Sequence, residues 1–163
     1  MTEMRSAPPA DLSGEPCPPA IAVPKDSDIT DATDAGLDGK VLGAQSSTTH
    51  SNYAEEKFPS TDLRLYPTPD EYKLDLASGR IDAAIDDVVV LSDWLASDDG
   101  ACCMILSTLP TDIVINGPGA GIAVRKGEEE LRDAFTQAIA TIRANGKYKE
   151  INDKYFEFDV YGG

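Results

Sequence analysis

The stretch from Gly39 to Tyr53, GKVLGAQSSTTHSNY, passes from an apolar run straight into a polar cluster. Val41-Leu42-Gly43-Ala44 reads as a short buried strand, and Ser51 to Phe58 as a polar helix that ends before Pro59. The residues between them, QSSTTH, then sit where a strand ends and a helix begins. If Thr48 and Thr49 lie near the helix N-terminus, free backbone N–H groups, two hydroxyls and the positive end of the helix dipole form a cradle for a carboxylate or phosphate. The plainer alternative is that Thr48 only caps the helix. This junction decides the fold, because a strand that hands over to a helix through a short polar turn is the unit of α/β architecture.

The rest of the chain repeats that unit. Leu63 to Tyr66 alternates as a strand. Thr68-Pro69-Asp70-Glu71 supplies a capping hydroxyl, Pro at the first helical position and Glu three residues after the cap. Gly79 stops that helix. Ile81 to Ile85 predicts a third strand, Val88 to Leu95 a helix or buried run, and Cys102 to Leu106 a fourth strand. Order is expected to begin at Ala20-Ile21-Ala22-Val23. Strands alternating with short helices predict βαβ units and a mostly parallel sheet. Further on, Gly117 to Gly121 reads as a turn or hinge and Ile122-Ala123-Val124 as a short strand. Glu128 to Asn145 carries Leu131, Phe135, Ala138, Ile139 and Ile142 at helical spacing before Gly146, and Tyr148 to Tyr155 predicts a last helix. The aromatic tail Tyr155, Phe156, Phe158 and Tyr161 needs a surface to pack on.

The 163 residues suffice for an ordinary domain with a real core, and no apolar run approaches a membrane span. Lys and Arg number 14 against 29 Asp and Glu, a formal charge of −15. Such a field repels nucleic acid and anionic lipid and weakly attracts cations. Cys102 and Cys103 read as small strand residues on opposite faces. With one other cysteine and a single histidine, neither a zinc site nor a closed disulfide framework is indicated. Met1 to Pro19 is rich in Pro, Ser and acidic residues and reads as irregular. It lacks the basic start and apolar segment of a secretory signal peptide.

Asp86 and Asp87 close the third strand in the same register as QSSTTH closes the first. A carboxylate at one strand end and an N–H and hydroxyl cluster at another suit the two charges of a zwitterion, since ligands of open α/β sheets bind beyond strand carboxyl ends. No nucleophile elbow, HExxH or phosphate-loop signature is present, and no cofactor or metal is indicated. His50 reads as a cap neighbour or ligand contact.

GKVLGAQSSTTHSNY, LYPTPDEYKLDLASGRIDAAIDD and GAGIAVRKGEEELRDAFTQAIATIRANGKYKEINDKYFEFDVYGG together resemble the periplasmic solute-binding proteins of polar amino-acid ABC transporters, nearest the lysine/arginine/ornithine, histidine and opine-type receptors. The likeness runs from about Ala20 to Gly163. It implies a type II periplasmic-binding-protein-like α/β fold: one near-complete lobe, a parallel-rich sheet flanked by helices, plus C-terminal helices of the other lobe. The implied division is an irregular segment 1–19, a first crossover 20–25, the second lobe 26–118, a return crossover 119–126 and a C-terminal helical part 127–163.

The resemblance also implies a function. Such proteins bind one amino acid by closing two lobes about hinges, feed an ABC transporter permease, and perform no chemistry. Position by position, the carboxylate-binding loop matches Ser47, Thr48 and Thr49, with His50 as a side-chain contact and Gln45 lining the cleft. The acid that binds the α-amino group matches Asp87. The implied ligand is arginine, lysine, ornithine, histidine or an opine-like derivative. Ser47 departs from the glycine of many relatives, and its Cβ is expected to crowd the turn.

Complete relatives carry most of a first lobe ahead of the first crossover, with an arginine for the ligand carboxylate. Only Met1 to Pro19 stands there, matching nothing in the family, so the expectation is a chain truncated at its N-terminus. Losing that pairing removes roughly 3–5 kcal/mol, where micromolar affinity corresponds to about 8 kcal/mol, so binding is expected at millimolar level or not at all. The expected location is the periplasm, or the cytoplasm if Met1 is the true start. Two alternatives stand beside this reading. One is an interaction or dimerisation module using Leu131, Phe135, Ile139 and Ile142, and the other, less favoured, is an enzyme such as a cyclohexadienyl dehydratase.

Overall fold

Strand and helix alternate in the computed structural model as the sequence suggests. The elements are β1 (Pro19–Pro24), β2 (Val41–Gln45), α1 (Thr49–Lys57), β3 (Asp62–Tyr66), α2 (Pro69–Ala77), β4 (Ala83–Asp87), α3 (Val88–Leu95), β5 (Cys103–Thr108), α4 (Ile113–Asn116), α5 (Glu129–Ala144) and α6 (Lys147–Asn152). The structure describes residues 17–117 and 122–156. Most of segment 1–19, read as irregular, the glycine-rich run from 118 to 121 with the start of the expected return crossover 119–126, and Phe158 and Tyr161 lie outside the described residues. The chain divides into two compact units. One is residues 17–117, and the other holds α5 and α6.

The first unit is a five-stranded sheet in the order β3-β2-β4-β1-β5. β2 runs parallel to β3 along its whole length and parallel to β4, where Leu42 and Gly43 pair with Ala83 and Ala84. Helices between these strands return the chain, as parallel pairing requires. β1 lies between β4 and β5 and is antiparallel to both. The sheet is therefore mixed where the helix–strand alternation predicted a mostly parallel one. An antiparallel strand needs no crossover helix, so alternation along the chain carries no trace of it. Residues 20–24, read as crossover, form most of this buried central strand.

Alternate strand residues face opposite sides of the sheet. Leu42, Ala44, Ala83, Ile85, Ile21 and Val23 pack with Tyr53, Ala54 and Phe58 of α1 in one cluster. The other face is built from small residues so that α2 can lie close. A Cβ added at Gly43 would stand 3.3 Å from Tyr72 Cβ and 2.5 Å from Ile81 Cδ1. Tyr72 and Leu76, one helical turn apart, fill that side and are fully or almost fully buried. Asp82 locks the register of β2 on β4: its Oδ2 accepts from Val41 N at 2.7 Å, and its own N–H donates to Val41 O at 2.9 Å.

Several local expectations need correction. Thr68 is the N-cap of α2 but makes no side-chain cap bond. Pro69 with its fixed φ, and Asp70 and Glu71 in the first turn, start that helix without it. Ile122 to Val124 forms no strand; three apolar residues are too few to distinguish a strand from an extended loop. Cys102 precedes β5 rather than starting it, and is exposed while Cys103 is buried. In the second unit α5 is amphipathic yet has no buried residue, and Leu131 and Phe135 are 45% and 40% exposed. Gly146, at φ +79°, ends α5 as expected and opens α6.

Candidate functional site

β2 ends at Gln45, whose carbonyl accepts from Thr48 Oγ1 at 2.8 Å and whose Nε2 donates to Pro67 O at 3.3 Å. The chain then turns through Ser47 at φ +60°, the one non-glycine residue with positive φ among the described residues. That conformation brings Cβ near the backbone and disfavours most side chains. Thr48 caps α1. Its Oγ1 accepts from Ser51 N at 3.1 Å, and Ser51 Oγ accepts from Thr48 N at 3.2 Å, a reciprocal capping box.

The Thr48 hydroxyl thus donates once and accepts once within its own turn, as a helix cap does. What stays open is backbone. Among the described residues the N–H groups of Ser47, Thr49 and His50 meet no protein acceptor, and Ser47 and Thr49 are exposed. They stand at the positive end of α1, where an anion is favoured.

β4 lies beside β2 and runs the same way, so Asp86 and Asp87 end at the same edge of the sheet as Gln45. Asp87 caps α3, its Oδ1 accepting from Val89 N at 2.7 Å, which leaves Oδ2 outside the cap. Cys17, ahead of β1, sits near it; burial and then the Asp87 charge push its thiol up. Asp86 is 7% exposed. Its Oδ2 accepts from the Tyr72 hydroxyl, and its Oδ1 accepts from Asp87 N at 2.7 Å. Burial, and next the Asp86 charge, push the Tyr72 phenol far up, so it stays a donor.

Of the residues singled out in the sequence, Gln45, Ser47, Thr48, Thr49 and His50 gather where β2 meets α1, and Asp87 ends the neighbouring strand. The two loops touch through a pair that the sequence did not suggest: His50 Nδ1 lies 3.4 Å from Asp86 Oδ1. The family resemblance assigns the ammonium-binding role to Asp87 and no role to Asp86. The signal for it was strand alternation, since Asp86 continues the Ala84 face on which Tyr72 packs. Among the described residues no Lys or Arg pairs with Asp86, and no set of three His, Cys, Asp or Glu converges as a metal site. Open amides and a carboxylate on one edge can accept the two opposite charges of a small zwitterion.

Residues 14–158 match the model of the bacterial extracellular solute-binding proteins, family 3. The likeness thus starts ahead of Ala20, inside the segment read as matching nothing. The L-arginine-binding protein of Pseudomonas aeruginosa is 41% identical over 147 residues, 88% of this chain and 57% of that protein. The histidine-binding periplasmic protein of Salmonella typhimurium is 37% identical over 146 residues, 88% of this chain and 56% of its own. An ancestral arginine-binding protein solved with arginine bound shares 26% identity at a TM-score of 0.68, covering 88% of this chain and 63% of that one. The fold is that of the type II periplasmic binding proteins. The chain spans a little over half the length of these curated relatives.

Proposed function

This chain belongs to family 3 of the bacterial extracellular solute-binding proteins, and we propose that it contributes one side of a site for a free polar amino acid, basic in its side chain. In this reading the open N–H groups of Ser47, Thr49 and His50 and the Thr49 hydroxyl receive the ligand carboxylate. Asp87 receives the α-ammonium group through Oδ2. Thr48 acts through the turn it holds in place, while Gln45 and His50 flank the side chain. The observation that carries the reading is the parallel adjacency of β2 and β4, which puts donors and acid on one sheet edge. Curated relatives named for arginine and for histidine support a basic ligand, and so does the acidic balance of the chain.

The reading is one of capture without chemistry. Curated relatives named for binding an amino acid support it. The partner in transport is the permease of an ABC importer and the compartment is the periplasm, both by family. No helix among the described residues is long and apolar enough to cross a membrane.

The test is an NMR titration of the ¹⁵N-labelled chain with arginine, lysine, ornithine, histidine and glutamine up to millimolar concentration, with glutamate as contrast. Shifts concentrated at Ser47 to His50 and Asp87 to Val89 support the site. Spectra unmoved by every amino acid overturn it.

A further inference from the structure

Beside this site lies a chain of three polar groups that neither the helix caps nor the sheet requires. Tyr72, fully buried on α2, donates to Asp86 Oδ2. Asp86 Oδ1 accepts from the Asp87 amide and faces His50 Nδ1 at 3.4 Å, with the His50 and Asp86 side chains 15% and 11% exposed. A carboxylate this buried must be met by donors, and no Lys or Arg among the described residues supplies one. If Nδ1 carried a lone pair, it would face an oxygen lone pair at low exposure, at a separation too short to admit a water between them. A proton on Nδ1 removes that repulsion and puts a positive ring edge beside the carboxylate instead. The partner of one ring nitrogen then sets the state of the other.

We propose that Asp86, braced by Tyr72, holds neutral His50 as its Nδ1–H tautomer, so that Nε2 is an acceptor that favours amino acids with N–H-bearing side chains over those with carboxylate side chains. This rests on the amino-acid site proposed above. Free neutral imidazole side chains prefer the opposite tautomer, with the proton on Nε2 and no acceptor there. A guanidinium, ammonium or amide side chain has a hydrogen to give Nε2. A carboxylate side chain has none and meets a lone pair, with the Asp86 carboxylate at the other ring nitrogen.

His50 is the only histidine in the chain, so the intact ¹⁵N-labelled protein gives a single imidazole spin system. Long-range ¹H–¹⁵N correlation, at a pH where the ring is neutral and without ligand, is expected to show the Nδ1–H pattern. Asp86→Asn is expected to move it toward Nε2–H, because the amide can donate to Nδ1. Tyr72→Phe leaves the Asp86 carboxylate in place and is expected to keep Nδ1–H. Titration with arginine should shift the Nε2 resonance toward its hydrogen-bonded value, and Asp86→Asn should reduce the preference for arginine over glutamate by about tenfold. An Nε2–H pattern in the unmutated, ligand-free protein overturns the proposal whatever the ligand result. Nδ1–H together with spectra unmoved by every amino acid overturns the amino-acid reading and the selectivity with it, while the tautomer stands. Nδ1–H with equal response to arginine and glutamate overturns the selectivity alone.

Discussion

The hydroxyl of Tyr72 and the carboxylate of Asp86 meet inside the α/β unit, a buried phenol from α2 bonded to a buried acid from the end of β4. This contact ties the packing of the small-residue face to the loop that carries Asp87. A tyrosine fully withdrawn from water needs a partner for its hydroxyl, and a buried carboxylate needs a donor. Tyr72→Phe removes one bond and leaves an acid oxygen without its donor. The expected loss is about 1–3 kcal/mol, read from urea unfolding with an unchanged m-value. Stability equal to that of the unmutated chain would mean the contact does not hold in solution.

Gly43 is the reason Tyr72 can lie where it does. In Gly43→Ala the Ile81 terminal methyl can swing away, but Tyr72 Cβ, fixed close to its own backbone, must give by a few tenths of an ångström. Overpacking of this kind destabilises by about 1–3 kcal/mol. Because the displaced residue holds Asp86, the His50 imidazole signals are expected to shift in the same variant, though the two residues lie on different elements. Loss of stability with unmoved His50 signals would break the link.

Asp87 has two separable roles, and Asp87→Asn divides them. Asn caps helices as well as Asp does, so stability is expected to stay within about 0.5 kcal/mol. The charge for an α-ammonium group is gone, which corresponds to about 1.5–3 kcal/mol and a ten- to hundredfold weaker response to arginine. Undiminished binding in this variant would remove Asp87 from the site.

Thr48→Ala deletes the cap and half of the box with Ser51, at about 1 kcal/mol. Ser51→Ala deletes the other half. Since the bonds are reciprocal, the double variant is expected to lose less than the sum, with a coupling of at least about 0.5 kcal/mol in a double-mutant cycle. Strict additivity would show that the two bonds act separately.

The Tyr66 hydroxyl, first, and Arg80, second, hold the Asp75 carboxyl below the usual carboxylate range, with contacts of 2.7 and 2.6 Å. Lys57 does the same for Asp112 at 2.9 Å. A depressed folded value means a contribution that is fully present above the unfolded Asp value of about 3.9 and fades as pH falls through the lower folded one. Melting temperature is therefore expected to drop as pH falls from about 4 downward. Asp75→Asn should flatten part of that slope, and a slope identical to that of the unmutated chain would contradict the assignment.

What the amino-acid sequence determined by itself was local. The run from Val41 to Tyr53 set a strand, a polar turn and a helix. Pro69 and Gly79 bounded α2, and the periodicity from Leu131 to Ile142 set α5, because propensity, capping and spacing act between residues near in the chain. Its blocks also carried the family likeness. Only the tertiary structure decided that β1 enters between β4 and β5 against the direction of both. It alone decided that the Thr48 hydroxyl is consumed by its own helix while the neighbouring amides stay open. It alone brought Tyr72, Asp86 and His50 together from α2, β4 and α1. Those relations join residues distant in sequence, and they arise from which faces pack and which polar groups lose water, quantities that no local window of sequence contains.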